Sequence, residues 1–116
     1  MIDGRELSEK ELAARHERMA RLILGLRARG IGDTQLLSAI EATPRDLFLA
    51  ARDRPFAGED RPFPIECGQT ISAPSIVAVM LDALRLEPEH KMLEIGSGSG
   101  YAAAIAARLV RQIYCV

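Results

Sequence analysis

Glu94 and Ile95 are followed by glycines at alternate positions, Gly96, Gly98 and Gly100, within the run MLEIGSGSGY at residues 92–101. A turn without side chains lets the main chain approach a ligand closely, and a helix starting just beyond it adds unpaired N–H groups and a positive dipole end. Such a turn suits a nucleotide-type ligand, although a glycine turn that binds nothing has the same sequence. Counting G-x-G-x-x-G from Gly96 and Gly98 puts Tyr101 where the third glycine of a dinucleotide site belongs, which disfavours NAD. Some twenty residues upstream lies Gln69-Thr70-Ile71-Ser72. If this segment is extended, Thr70 and Ser72 face one side and Ile71 the other, so two hydroxyls could serve one site. On the residues alone, Ser72 is at least as well placed to cap a helix that begins near Pro74. Cys67, beside Gly68, has no histidine near it in sequence and reads as an inert thiol.

The elements that must carry these residues follow from apolar spacing. Leu12, Met19, Leu22, Ile23 and Leu26 form one stripe of a long helix over residues 8–29. Ser8 and Glu11 make a capping box at its start, and Gly30 suits a left-handed end. Its arginines 15, 18, 21, 27 and 29 are mixed with Glu9, Glu11 and Glu17 and read as a solvated face, not an RNA-binding one. His16 lies near the stripe with no second ligand and reads as structural. A short helix over 34–42, capped by Asp33 or Thr34, turns Leu36, Leu37 and Ile40 inward before Pro44.

Residues 52–68 hold three prolines and two glycines and read as a long ordered loop, a candidate ligand wall. Pro74 opens a helix to about residue 85, with Ile76, Val77, Met80, Leu81 and Leu84 buried. A strand over 91–95, the glycine turn, a helix over 101–110 and a strand over 112–116 make a βαβ unit.

Composition excludes several other classes. The 116 residues carry 15 Lys+Arg against 16 Asp+Glu, a formal net charge of −1, which supplies no field for nucleic acid or an anionic membrane. At 48% hydrophobic the chain reads as one small globular domain. Its longest apolar run, 71–81, is broken by Pro74 and falls far short of the roughly 20 residues that span a bilayer. The N-terminus has no apolar h-region, and two cysteines without a CxxC or Cys/His cluster suggest neither a disulfide framework nor zinc, so cytoplasmic residence with reduced thiols is expected.

The order acid, hydrophobic, G-x-G-x-G at Glu94–Gly100 resembles motif I of the class I methyltransferases that use S-adenosyl-L-methionine. RPFPIECGQTISAP at 61–74 resembles the P-I-x-x-G-Q-T-I-S signature of protein-L-isoaspartate O-methyltransferases. RGIGDTQLLSAIEATPRDLFL at 29–49 is similar to the short helix and P-R-[DE]-x-F of the same family. Together these segments span residues 29–101 in the family's order, and the QTIS segment is what separates this family from other methyltransferases.

The resemblance implies methyl transfer from S-adenosyl-L-methionine to the free carboxylate of isoaspartyl residues in damaged proteins or peptides. It implies an α/β fold in which N-terminal helices precede the first βαβ unit of a Rossmann-like methyltransferase sheet. By the same resemblance Ser72 is the catalytic hydroxyl, holding or polarising the substrate carboxylate, and Gln69 and Thr70 line the substrate cleft. Gly96, Ser97 and Gly98 hold the methionine part of the cofactor by main-chain contacts, and Glu94 reaches its amino group. No metal, nucleic acid or membrane is implied, and the complete enzyme is expected to be a monomer.

The chain then divides into a helical region (1–50), an active-site loop with QTIS (51–73) and the start of the cofactor-binding domain (74–116). Gly58, Glu66-Cys67 and Ser75 depart from the usual family pattern, which bears on substrate contacts and leaves the glycine turn intact. Only two strands of a larger parallel sheet are readable, and an acid for the ribose hydroxyls would follow residue 116. An N-terminal fragment with little activity alone is therefore expected. Another class I methyltransferase, a non-catalytic helical module derived from one, and an NAD-binding fragment are the alternatives.

Overall fold

The structure, a computed structural model, describes residues 7–116, so the first six residues lie outside it. Helix α1 (Glu9–Ala28) starts where expected: the Ser8 side chain accepts the Glu11 N–H at 3.1 Å, with Glu9 and Glu11 in the first turn and Arg27 in the last. Gly30, at φ +96°, turns the chain out of the helix.

Leu22 and Leu26 are buried and Met19 and Ile23 pack against them, but Leu12 is 41% exposed. The predicted stripe therefore runs one residue too far toward the N-terminus, because Leu12 borders an open groove beside Glu41 and Pro44. The solvated-arginine expectation also needs correction. Arg15 and Arg18 reach the buried Asp46 at 3.0 and 3.7 Å, and Arg29 reaches Asp60 at 3.0 Å. Three of the arginines thus tie α1 to later segments, while Arg21 pairs with Glu17 in solvent.

Helix α2 (Thr34–Glu41) is capped by Asp33, whose carboxylate accepts the N–H groups of Gln35 and Leu36, and it buries Leu36, Leu37 and Ile40 as its spacing predicts. After Pro44 the chain forms one 3-10 turn (Arg45–Phe48) and then another (Ala51–Phe56). The stretch read as a loop is more ordered than its prolines suggest. Strand β1 (Phe63–Pro64) pairs antiparallel with β2 (Thr70–Ile71), with Phe63 opposite Ile71, and a tight turn (Glu66–Gly68) joins them. That turn holds both Cys67 and Gly68 at positive φ. Two-residue strands leave no periodicity to read, which is why composition alone misses them.

Gly58 has a steric reason. A Cβ there would lie 3.1 Å from the Arg18 carbonyl oxygen and 3.2 Å from its Cβ, on the backbone of α1. Gly58→Ala is therefore expected to destabilise the fold by about 1–3 kcal/mol in urea unfolding, as overpacking against a rigid helix does. An unchanged midpoint would mean that α1 moves away freely.

Helix α3 (Pro74–Ala83) has Pro at its first turn, as predicted, and buries Val77, Ala78 and Leu81. Ile76, Met80 and Leu84, expected inward, are instead 53%, 64% and 52% exposed. Most of this helix is apolar, so its pattern cannot specify which side α1, α2 and α4 cover. Strands β3 (Lys91–Glu94) and β4 (Gln112–Cys115) pair in parallel, with Glu94 opposite Cys115. Helix α4 (Tyr101–Ala106) crosses between them and is six residues long, not the ten expected. Beyond it, hydrogen bonds such as Leu109 N to Ala106 O tighten the chain, and Arg111 N then docks on the His90 carbonyl to start β4.

Met92 and Ile113 pack inward, whereas Leu93 and Tyr114 on the opposite face are exposed. One apolar core takes Leu26 from α1, Leu36 and Ile40 from α2, Phe63 and Ile71 from the β1–β2 pair, Leu81 from α3 and Ile105 from α4. Among the described residues, no helix is long and apolar enough to cross a membrane.

Candidate functional site

The β3 to α4 turn is built from glycine conformations. Gly96, Gly98 and Gly100 have φ of +81°, +52° and +84°, which L-residues adopt at a cost, and a Cβ at any of them would meet no atom within 4 Å. Open space thus lies against a bare backbone. The N–H groups of Gly96 and Ser97 both donate to the Val116 carbonyl, at 2.9 and 3.4 Å, so in this arrangement they are occupied. This corrects the picture of a wholly free set of donors. Tyr101 N–H is taken by the Ser99 hydroxyl at 3.2 Å, and the six-residue α4 brings only a short dipole to the turn.

Glu94 closes β3 just before this turn. One of its carboxylate oxygens, Oε1, is buried with no hydrogen-bond partner, and burial raises its pKa above the ordinary glutamate value. A buried, unpaired acceptor is costly unless a donor reaches it, so Glu94 is suited to an N–H or O–H group of a ligand.

The QTIS segment has the facing that alternation predicts. Ile71 is 3% exposed and packs in the core, while Thr70 and Ser72 are on the exposed side. Ser72 does not cap α3. The N-cap position belongs to Ala73, no side chain of that residue caps the helix, and the Ser75 N–H donates instead to Asp60 Oδ1 at 2.9 Å. The Ser72 carbonyl accepts from Arg45 at 3.0 Å, and among the described residues its hydroxyl makes no hydrogen bond. The structural role that competed for this serine is therefore filled by Asp60.

Asp60 carries a pH consequence. Burial alone would raise its pKa, but the Ser75 N–H and hydroxyl, then Arg29 and Arg45, outweigh it and leave the carboxyl below its ordinary value. A carboxylate with a depressed folded pKa contributes stability above its unfolded value and loses it as pH falls through the folded value. Asp60→Asn keeps an acceptor for the Ser75 N–H and removes the charge that faces Arg29 and Arg45, so it is expected to cost at most about 1 kcal/mol at neutral pH, the worth of a solvent-screened pair. That difference should begin to shrink below about pH 4, where the unfolded carboxylate protonates, and vanish once the pH has fallen through the lower folded value; a constant difference across the titration would contradict the role of its charge.

A cavity of about 700 Å³ joins the two motif regions. It is lined by Gln69, Cys67 and Ile65, by Gly98 and Ser99, and by Leu49, Ala50 and Arg52. The cavity unites Gln69 with Gly98; Thr70, Ser72, Glu94, Gly96 and Ser97 are not among its walls. Arg52 was not anticipated as a site residue. Its side chain is 75% exposed, 3.6 Å from Asp53, and places a cation at the cavity. The available signal was its position at the start of the loop read as a ligand wall. Tyr101 is 1% exposed and packs edge-on against Phe48 with ring centroids 5.4 Å apart, and burial pushes its pKa up to about 12. It is a core residue.

A family model described as protein-L-isoaspartate(D-aspartate) O-methyltransferase (PCMT) matches residues 17–116. Among curated proteins, the chain is 52% identical over 99 residues to a protein-L-isoaspartate O-methyltransferase of Maricaulis maris (strain MCS10), covering 85% of this chain and 46% of that one. It is 52% identical over 95 residues to the same-named protein of Parvibaculum lavamentivorans, covering 82% and 43%. Among solved structures, it resembles a Plasmodium falciparum beta-aspartate methyltransferase (PCMT) in complex with S-adenosyl-L-homocysteine, at TM-score 0.65 and 29% identity over 78% of this chain and 41% of that one. A further protein-L-isoaspartate O-methyltransferase matches at TM-score 0.72 and 28% identity, over 84% and 33%. The chain spans less than half the length of these relatives.

Proposed function

This chain belongs to the protein-L-isoaspartate(D-aspartate) O-methyltransferase family, and we propose that it carries the cofactor turn and the substrate-facing segment of an enzyme that methyl-esterifies isoaspartyl carboxylates in damaged proteins and peptides. The observation that supports this reading is the single cavity lined both by Gln69, from the QTIS segment, and by Gly98 and Ser99 of the glycine turn.

S-adenosyl-L-methionine, when bound, supplies an activated methyl group. The chain offers it fitting features: an unobstructed backbone at Gly96 and Gly98, and at Glu94 a buried carboxylate oxygen without a donor. In this reading Gly96, Ser97 and Gly98 bear the methionine part and Glu94 receives its amino group.

The acceptor needs little activation. A carboxylate oxygen is already a nucleophile at neutral pH, so the residues around it must orient it and exclude water, not remove a proton. Ser72 is assigned to donate its unpaired hydroxyl to that carboxylate, with Gln69 and Thr70 holding the peptide beside it. Arg52, a cation at the cavity, favours an acidic substrate there by long-range attraction. The enzyme is assigned to the cytoplasm, acts as a monomer, and needs neither metal nor nucleic acid.

The test compares two peptides of one sequence, one with isoaspartate and one with aspartate, incubated with cofactor labelled in its methyl group. The protein is one of the relatives' full length that carries these residues. Label appearing as base-labile methyl ester on the isoaspartyl peptide alone is expected. Equal labelling of both peptides, or transfer to a small molecule or nucleic acid instead, would overturn the assignment.

A further inference from the structure

Arg45 is a cation buried to 1% exposure, among the most enclosed large side chains of the chain. A guanidinium so placed is costly unless its donors are satisfied, because its charge has lost its water; here both Nη groups are satisfied and the buried Nε has no partner. The nearest conventional solution, an ion pair with Asp46, is not used: Asp46 belongs to Arg15 and Arg18. The guanidinium donates to four main-chain carbonyls instead. Nη1 reaches Ala57 O at 3.2 Å and Glu59 O at 3.3 Å, and Nη2 reaches Arg61 O at 2.7 Å and Ser72 O at 3.0 Å.

Three of these carbonyls lie in the loop before β1 and the fourth at the end of the QTIS segment. The guanidinium also stands over the ring of Phe63, 5.1 Å from its centroid, and Phe63 is the register partner of Ile71. Arg45 therefore meets the Thr70–Ser72 edge from its inner side, at the Ser72 carbonyl and at the ring opposite Ile71, and touches neither exposed hydroxyl.

A second tie converges on the same place. Asp60 lies inside the loop that Arg45 gathers, and its carboxylate takes the Ser75 N–H. Ser72 is thus held through its own carbonyl by Arg45, and through the start of α3 by a loop that Arg45 also holds. Both ties use groups other than the Ser72 hydroxyl and leave it unengaged.

We propose that Arg45 is a positioning residue: its planar fork joins residues 57–61 to Ser72 and so sets where the Ser72 hydroxyl is presented. The proposal rests on the reading of Ser72 as substrate-facing. It also explains the side-chain type, since an ammonium has three donors on a flexible stem and cannot serve four carbonyls at once.

The test uses the 116-residue chain with Arg45→Lys and Arg45→Met, read by amide hydrogen exchange. In Arg45→Lys, the Ser75 N–H and the Ile65 N–H, which donates to Gln69 O, should exchange at least about tenfold faster, as loss of a charge-assisted hydrogen bond predicts. Amides inside α1 and α2 should keep their wild-type rates. Arg45→Met should show the same pattern more strongly, and if it does not fold, the lysine variant still decides.

Uniform acceleration through α1 and α2 in the lysine variant would make Arg45 a general stabiliser and overturn the proposal, as would no acceleration anywhere. Binding gives a second readout, by calorimetry with an isoaspartyl peptide and with S-adenosyl-L-homocysteine. Peptide affinity should fall in Arg45→Lys while cofactor affinity stays unchanged, because no Arg45 contact reaches the glycine turn; a parallel loss of both overturns the proposal. These titrations use a protein of the relatives' length that carries this chain; if it binds neither ligand, the functional reading is contradicted, and the exchange pattern then judges the clamp alone.

Discussion

Replacing Ser72 by alanine is expected to lower methyl transfer about 10²–10³-fold, the usual loss when one donor aimed at a reacting oxygen is removed. The thermal midpoint should not change. The hydroxyl is on the exposed side, has no partner among the described residues and does not cap α3, whose first turn is served by Asp60. The contact that fixes this residue is made by its carbonyl with Arg45, which alanine retains. The measurement is kcat and KM for an isoaspartyl peptide beside a melting curve, in a protein of the relatives' length carrying this chain. Undiminished turnover would remove Ser72 from the site, and a fall in midpoint matching the fall in activity would return it to a structural role.

Glu94→Gln should act in opposite directions on the free and the bound protein. In the free chain, burial raises the Glu94 pKa and leaves Oε1 without a partner. A carboxyl whose folded pKa is raised disfavours the fold once it is ionised, so the wild type loses stability as pH rises through that raised value. Below the unfolded glutamate value the penalty is absent. Glutamine should therefore raise the unfolding midpoint at neutral pH and give no gain in acid.

In the complex, the carboxylate is assigned a charge-assisted hydrogen bond to the amino group of the cofactor, worth about 1.5–3 kcal/mol, so glutamine should weaken cofactor binding by roughly 10- to 100-fold. Chemical denaturation at two pH values and calorimetry with S-adenosyl-L-homocysteine check the two arms. A variant that is less stable at neutral pH, or that binds as tightly as wild type, would contradict the assignment.

Sequence patterns located the elements of this fold wherever a periodic or capping signal existed. Ser8 and Asp33 cap the helices they were expected to cap, and Leu36, Leu37 and Ile40 are buried as their spacing requires. Glycines 96, 98 and 100 all stand at positive φ. The failures have physical causes. α3 is apolar on several sides, so Ile76, Met80 and Leu84 could not be told from Val77 and Leu81 by pattern. The β1–β2 pair is two residues per strand and is held by Arg45, a long-range contact that no local rule describes.

At the candidate site, the exposed facing of Thr70 and Ser72 and the open glycine turn were readable from residue type and alternation. The occupation of two turn N–H groups by Val116 was not, because it depends on where β4 ends in space. Neither was Asp60 as the cap of α3, fifteen residues away in sequence. That single contact changes the meaning of Ser72 from a capping residue to one with a hydroxyl to spare.

The turn from Ile95 to Tyr101, with Glu94 just before it, is assigned to cradle the methyl-donor cofactor beside the QTIS segment. The most direct test of this assignment is amide NMR of this chain titrated with S-adenosyl-L-homocysteine. Shifts are expected at Glu94, Gly96, Ser97, Gly98 and Ser99, extending to Gln69 and leaving α1 unmoved. Shifts centred elsewhere in the chain, or none at saturating ligand, would contradict it.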